Sequence, residues 1–296
     1  MYYKSANEYF KETFGTKIYK ASVSLDVTCP NRDGKCGEGG CIFCSAGGSG
    51  EFSSCGKDPV LKQIDDAIDL VSRKAGPDAG YLAYFSSFTS TYCDGEYLRE
   101  SLTAAASHPK VRGIAIGTRP DCLGEDIMEV LSNMAKKIPL YVELGLQTSN
   151  DATAEWFNRG YETRVYDEAV SKLKAAGINV ITHIIFGLKG EDEETMLESV
   201  RHAVRCGTDG VKFTCLYVLR GTALEEEWKE GRIELLSMEE YFDVVEKALG
   251  ILPPGTVVHR LTGDGPKKVL LGPRWTFNKR NVVNYINRRF GQGRRP

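Results

Sequence analysis

The sequence predicts an α/β fold: a partial (β/α)6-type TIM barrel with a basic C-terminal helical extension. Two observations lead there. Short apolar, β-branched or aromatic runs alternate with helical segments at roughly 30-residue intervals, the pattern of βαβ units and a parallel sheet. The segments that follow those runs (CPNRDG, FSSFTSTY, GTRPD, ELGLQTSN, FGLKGE, YVLRGT and HRLTGDG) collect most of the Gly, Thr, Asn, Gln and Arg outside helix surfaces. Barrels of this kind place their chemistry at the C-terminal ends of the strands. A doubly wound open sheet is the alternative with the same alternation. At 296 residues the chain fits a single domain, 1–296. We divide it into an N-terminal extension (1–20), a barrel core (21–220) and C-terminal helices with a tail (221–296).

The elements follow in order. Tyr2, Tyr3, Tyr9 and Phe10 interleave with charges, which predicts a short amphipathic helix ahead of the barrel. ASVSLDV (21–27) is the first predicted strand. Residues 57–75 place Leu61, Ile64, Ile68 and Val71 at helical spacing. Strands are predicted at 80–88, 111–119, 140–147, 180–188 and 210–219. Helices are predicted at 96–108, 125–137, 150–160, 166–177 and 191–207, with Asn150 as an N-cap and glycines as stops. Two more helices, 223–231 and 237–252, a short apolar run at 256–262 and a helical tail at 277–290 complete the chain.

Hydrophobic residues make up 42% and charged residues 26%, ordinary for a globular protein. No apolar run approaches the ~20 residues of a membrane span, and the N-terminus lacks the layout of a signal peptide. A cytoplasmic location is expected, with no membrane partner. The nine cysteines then point to metal binding or redox work rather than disulfides. The net charge of −2 hides an asymmetry: no acid follows Asp264, while nine Lys and Arg do. Residues 1–264 carry 29 basic against 40 acidic side chains, a net −11. A basic tail on an acidic body suggests a polyanionic partner.

The chemistry-bearing stretch is TCPNRDGKCGEGGCIFCS, with four cysteines in the sixteen residues from Cys29 to Cys44. A thiol-dense, glycine-rich loop suits a metal centre, because glycine lets backbone N–H groups approach sulfur. Cys41 and Cys44 form a CxxC pair. Alone, that pair permits zinc, a dithiol or an iron–sulfur cluster, and Cys29 and Cys36 would complete a four-thiolate zinc site. Cys206 and Cys215 read as core thiols, Cys93 and Cys122 as thiols near strand ends.

SLDVTCPNRDG followed by GGCIFC resembles the radical S-adenosylmethionine (SAM) superfamily, in a subgroup related to the radical domain of the Elongator catalytic subunit. The resemblance continues through AYFSSFTSTY, GTRPDCL, ELGLQT, NRG, THIIFGLKGE, VLRGT and HRLTGDGP. It implies a [4Fe–4S] cluster on three thiolates, Cys29, Cys41 and Cys44, with one iron left for the amino and carboxylate groups of SAM. One-electron reduction of SAM would give a 5′-deoxyadenosyl radical that abstracts hydrogen from a substrate. Cys36 falls inside the first gap and is the alternative to Cys29.

The resemblance also assigns roles. Phe43 stands where the superfamily carries an aromatic touching adenine. Ser86 and Ser87 end the strand that meets the SAM amino group, where related sequences have Gln-Ala. Glu143 and Gln147 share one strand face and would meet the ribose, with a salt bridge as the alternative for Glu143. Arg159 would pair with the SAM carboxylate, or else end its helix in solvent. Ile185 and Gly187 would line the adenine pocket. Arg119, Asp121, Arg260 and Asp264 are the candidate substrate contacts, with internal ion pairs as the alternative.

Kinship with Elongator implies tRNA as the substrate and wobble-uridine C5 chemistry. A flavodoxin- or ferredoxin-like electron donor is the implied redox partner. A protein or small-molecule substrate is the second hypothesis. A zinc-stabilised, non-catalytic nucleic-acid-binding protein is the third.

Overall fold

The structure is a computed structural model that describes residues 3–48, 56–72, 75–76, 78–263 and 265–291. Its elements run β1 (Lys4–Ser5), α1 (Ala6–Phe14), β2 (Ile18–Val23), α2 (Val60–Ser72), β3 (Gly80–Phe85), α3 (Gly95–Ser107), β4 (Val111–Thr118) and α4 (Glu125–Ala135). There follow β5 (Leu140–Gln147), α5 (Asp151–Trp156), α6 (Thr163–Ala175), β6 (Asn179–Phe186), α7 (Glu193–Arg205), β7 (Gly210–Cys215) and β8 (Val218–Leu219). The C-terminal part holds α8 (Ala223–Lys229), α9 (Met238–Ile251), β9 (Val257–Arg260), β10 (Leu270–Gly272) and α10 (Lys279–Arg289).

Eight strands form one sheet in the order β1-β9-β7-β6-β5-β4-β3-β2, and every pairing in it is parallel. The six strands β2 to β7 are the predicted barrel core. The apolar run at 256–262 supplies a further parallel strand, β9, and β1 is too short to leave a pattern in the sequence. Helix α1 packs against both β2 and β9 and so bridges the two sides of the curled sheet. Phe10 enters the N-terminal end of the barrel, with ring centroids 5.5 Å from Tyr141 and 5.7 Å from His259. The predicted N-terminal extension is thus the plug of the barrel floor.

Alternation along the strands divides the core. Val142, Leu144 and Leu146 of β5 turn outward with Val180, Ile184, Val211 and Phe213 to meet the helices. Tyr141 and Ile181 turn inward to Phe10 and Leu82. A third cluster (Phe157, Ile185, Leu188, Leu216 and Leu224) lies against Cys41, Ile42 and Phe43 of the cysteine loop. Burying each such side chain contributes about 1.5–3 kcal/mol.

Boundaries moved where backbone groups found other partners. The first strand stops at Val23 because the Ser24 amide donates to Gln63 Oε1 at 2.8 Å rather than to a neighbouring strand. The helix predicted over 150–160 ends at Trp156, since Asn158 (φ 58°) and Gly160 (φ 78°) take left-handed conformations. Among the described residues, no helix is long and apolar enough to cross a membrane.

Candidate functional site

The cysteine loop leaves β2 at the C-terminal end of the barrel and is held by its own backbone. The amides of Arg32, Cys36 and Gly40 donate to the carbonyls of Cys29, Pro30 and Asn31 at 2.8, 2.9 and 2.7 Å. Cys44 N donates to Cys41 O at 2.8 Å, closing the CxxC turn. Ile42 N donates to Phe157 O at 3.1 Å, and Ile42 O accepts from Leu224 N at 2.9 Å, which fixes the loop to the barrel mouth.

Asn31 is the loop's internal post. It is fully buried, and its Nδ2 donates to the Asn158 carbonyl and to Cys41 Sγ at 3.7 Å. Glycine is required around it. A Cβ on Gly37 would lie 2.2 Å from Asn31 Oδ1, and one on Gly160 would lie 3.0 Å from the same oxygen and 3.5 Å from Cys36 Sγ.

Burial first, and then the neighbouring Cys44, push the Cys41 thiol up to about 12, while Arg119 opposes them. Cys29 also acts on Cys41. Cys36 is exposed as a residue, yet the partial desolvation around its Sγ raises the thiol against the opposing pull of Arg119, whose Nη2 donates to that sulfur at 3.5 Å. No three of the loop's thiols close to within 4.8 Å of one another. One tetrahedral zinc with Zn–S bonds of about 2.3 Å needs thiolates under about 4 Å apart. The all-thiol donor set fits an iron–sulfur cluster.

Two buried arginines hold this arrangement from below. Arg119 donates to both Asp121 oxygens at 2.9 and 2.7 Å and to the Arg159 carbonyl at 2.8 Å. Its guanidinium lies over the Tyr161 ring, 4.8 Å from the centroid. Arg119 and Asp121 thus form the internal ion pair that was the alternative reading, with Arg119 also donating to Cys36 Sγ. The Arg159 side chain is 1% exposed, and all five of its N–H groups have acceptors: Tyr161 O, Leu146 O, Thr148 O, Asp151 Oδ1 and Thr163 Oγ1. Every Arg159 donor is thus engaged by the protein itself, in the manner of a residue that positions the segments around it.

Inside the barrel, Glu143 accepts from Lys20 at 3.0 Å on one oxygen and from Tyr84 at 2.7 Å and Lys212 on the other. Burial opposes its charge, but the two ammonium groups hold the carboxyl well below its usual range. This ion cluster is the salt-bridge alternative weighed for Glu143. His183 of β6 shares the space, and burial with Lys212 and Arg260 pushes it down to about 3. Arg260 is exposed at the end of β9. Asp264 lies outside the described residues.

The remaining assignments divide. Phe43 packs on Phe157 with centroids 5.2 Å apart, against the apolar cluster that also contains Ile185. Gly187 takes φ 86° beside Leu236. Ser87 Oγ is paired with Ser24 Oγ at 2.5 Å, joining the ends of β2 and β3, while Ser86 stays half-buried beside Tyr84. Gln147 (φ 60°) accepts from Tyr161 at 3.3 Å.

Glu191 is the residue that the reading of FGLKGE passed over. Its carboxyl is pushed up to about 7 by burial, Thr148 Oγ1 donates to Oε1, and Oε2 is buried with no partner among the described residues. Its only signal in the sequence was an acid directly after a strand end.

In the tail, Trp275 Nε1 donates to Leu236 O at 2.9 Å, and Tyr285 and Phe290 pack on Phe242 at 5.1 and 5.9 Å. Phe277 is exposed. Arg289 pairs with Asp243 and Glu246, both at 2.6 Å. Lys267, Lys268, Arg274, Lys279, Arg280 and Arg288 remain exposed.

The radical SAM superfamily profile matches residues 31–203, and the Radical_SAM C-terminal domain profile matches residues 208–292. The chain is 40% identical over 286 residues to the uncharacterized protein YtqA of Bacillus subtilis (strain 168), covering 97% of this chain and 88% of that one. It is 30% identical over 267 residues to YhcC of Escherichia coli (strain K12), covering 90% and 85%. Elongator complex protein 3 of Drosophila melanogaster is 35% identical over 166 residues, 54% of this chain and 29% of that one. Among solved structures, the archaeal Methanocaldococcus infernus Elp3 with an N-terminal deletion is similar in fold, with a TM-score of 0.68 at 20% identity, over 92% of this chain and 63% of that chain.

Proposed function

This chain belongs to the radical SAM superfamily, and we propose that it modifies tRNA, remodelling the C5 substituent of a wobble uridine. Its cofactors are those of the superfamily, a [4Fe–4S] cluster and SAM. Bound together, they supply one-electron cleavage of SAM to methionine and a 5′-deoxyadenosyl radical. Cys29, Cys41 and Cys44 would hold the cluster. Asn31 and Arg119 fix the loop that carries them, and Phe43 with Ile185 offers an apolar wall for adenine. The ion cluster of Lys20, Glu143 and Lys212 keeps the barrel interior polar beneath that site.

The observation that carries the tRNA reading is the tail. Its exposed cations lie on a segment from which acids are absent, and that segment follows β9 out of the barrel mouth. Such a strip neutralises backbone phosphates. The relation to Elongator complex protein 3 supports the choice of base. The test compares modified nucleosides in tRNA from cells with and without this protein. A wobble-uridine nucleoside should disappear and its precursor accumulate. An unchanged profile, with 5′-deoxyadenosine still released from SAM, would move the activity to a protein or small-molecule substrate.

A further inference from the structure

Outside the barrel, α6 and α7 meet through three side chains that the cluster chemistry does not use. His202 on α7 and Cys206 at its C-terminal cap stand four residues apart, one above the other on one helix face. Asp167 of α6 reaches between them. His202 Nε2 lies 2.6 Å from Asp167 Oδ1, and Cys206 Sγ donates to the same oxygen at 3.3 Å. The three potential ligand atoms all lie within 4.8 Å of one another, and no other such group of three forms among the described residues.

We propose that Asp167, His202 and Cys206 form a binding site for a single borderline divalent cation, of which Zn2+ is the best match. Imidazole nitrogen, thiolate sulfur and carboxylate oxygen together suit zinc, whereas all-oxygen sites suit magnesium or calcium. Zinc–ligand bonds of about 2.0–2.3 Å need donors about 3.3–3.8 Å apart. The site reaches that spacing by opening the His202–Asp167 contact by about 1 Å. Cys206 exchanges its S–H proton for the metal, and the proton leaves to solvent.

A cavity of about 540 Å³ lies beside the trio, lined by Asp167, Ser171, Lys174, His202, Arg205 and Cys206, room for water as a fourth ligand. The two cations at its rim are neutralised by other acids: Lys174 pairs with Asp209 and Arg205 with Glu198, each at 2.5 Å. Among the described residues, no lysine or arginine is seen paired with the Asp167 carboxylate. A bound ion would clamp two successive crossover helices on the outer layer, away from the cysteine loop. Cys206, which the sequence suggested was a core thiol, is only half-buried.

The test uses anaerobic, cluster-loaded protein, so that the loop cysteines are occupied by iron. It is equilibrated with buffered micromolar Zn2+ and desalted, and zinc and iron are measured per chain. Wild type should retain one zinc. Asp167→Asn, His202→Ala and Cys206→Ser should each lower retention at least tenfold with iron unchanged. Zinc should also slow alkylation of Cys206 at least tenfold in wild type, a readout that needs no variant to fold. Absence of retained zinc, retention equal in wild type and all three variants, or unprotected Cys206 would overturn the proposal.

Discussion

Replacing Arg159 with lysine separates a positioning arginine from a ligand-binding one. Lysine keeps the charge but offers three N–H donors instead of five, without the planar fork. Four of the five acceptors are the carbonyls of Leu146, Thr148 and Tyr161 and the hydroxyl of Thr163, all around a side chain that is 1% exposed. The fifth, Asp151, is 54% exposed on its side chain and adds little. Two unsatisfied buried acceptors at about 1–3 kcal/mol each put the loss near ~3 kcal/mol. That is a large fraction of the roughly 5–15 kcal/mol that holds a domain together. Urea unfolding of the anaerobic protein should show the midpoint falling accordingly, with SAM affinity of the folded fraction changing by less than about threefold, as expected if no contact to SAM is lost. An unchanged midpoint combined with a tenfold or greater loss of SAM affinity would place the guanidinium on the ligand and refute the reasoning.

Glu191 makes stability depend on pH. Its folded carboxyl is raised to about 7, so between its usual range and about pH 7 the folded state holds a proton that the unfolded state has lost. Stability therefore falls as pH rises through that window, by about 2–3 kcal/mol in total. Glu191→Gln should flatten that slope in urea titrations at pH 5 and 8; an identical slope in both proteins would contradict the assignment. Gly160→Ala would drive a methyl against Asn31 Oδ1 and force φ 78° on an L-residue, so iron retention should fall while the outer sheet still folds. Full iron loading in that variant would remove Gly160 from the account. Reversing Lys267 and Lys268 to glutamate should weaken tRNA binding and reduce the slope of log K against log salt by about 1.5, leaving SAM cleavage without tRNA unchanged. An unaltered slope would take these lysines off the phosphate path.

What the sequence made legible depended on distance along the chain. Strand cores such as LYVELGLQ and THIIFGL were readable because both faces of a parallel sheet are covered and their composition is continuous. The inward face of Glu143 followed from alternation, but its lysine partners stand 123 and 69 residues away in sequence and no local pattern announces them. Arg119 and Asp121 sit two residues apart, and only the folded structure reveals that they pair with each other. Arg159 looked like a helix-end arginine until its acceptors, drawn from three segments, were in place. The Asp167–His202–Cys206 group was invisible because a cysteine near a helix end has no signature without the neighbouring helix.

In the proposed function three thiolates hold the cluster, while Cys36 is held aside by Arg119. Iron content of anaerobically reconstituted Cys36→Ala and Cys29→Ala proteins tests it directly. Cys36→Ala should keep about four irons per chain and still release 5′-deoxyadenosine from SAM under a strong reductant, whereas Cys29→Ala should lose both. Loss of the cluster in Cys36→Ala with retention in Cys29→Ala would contradict it.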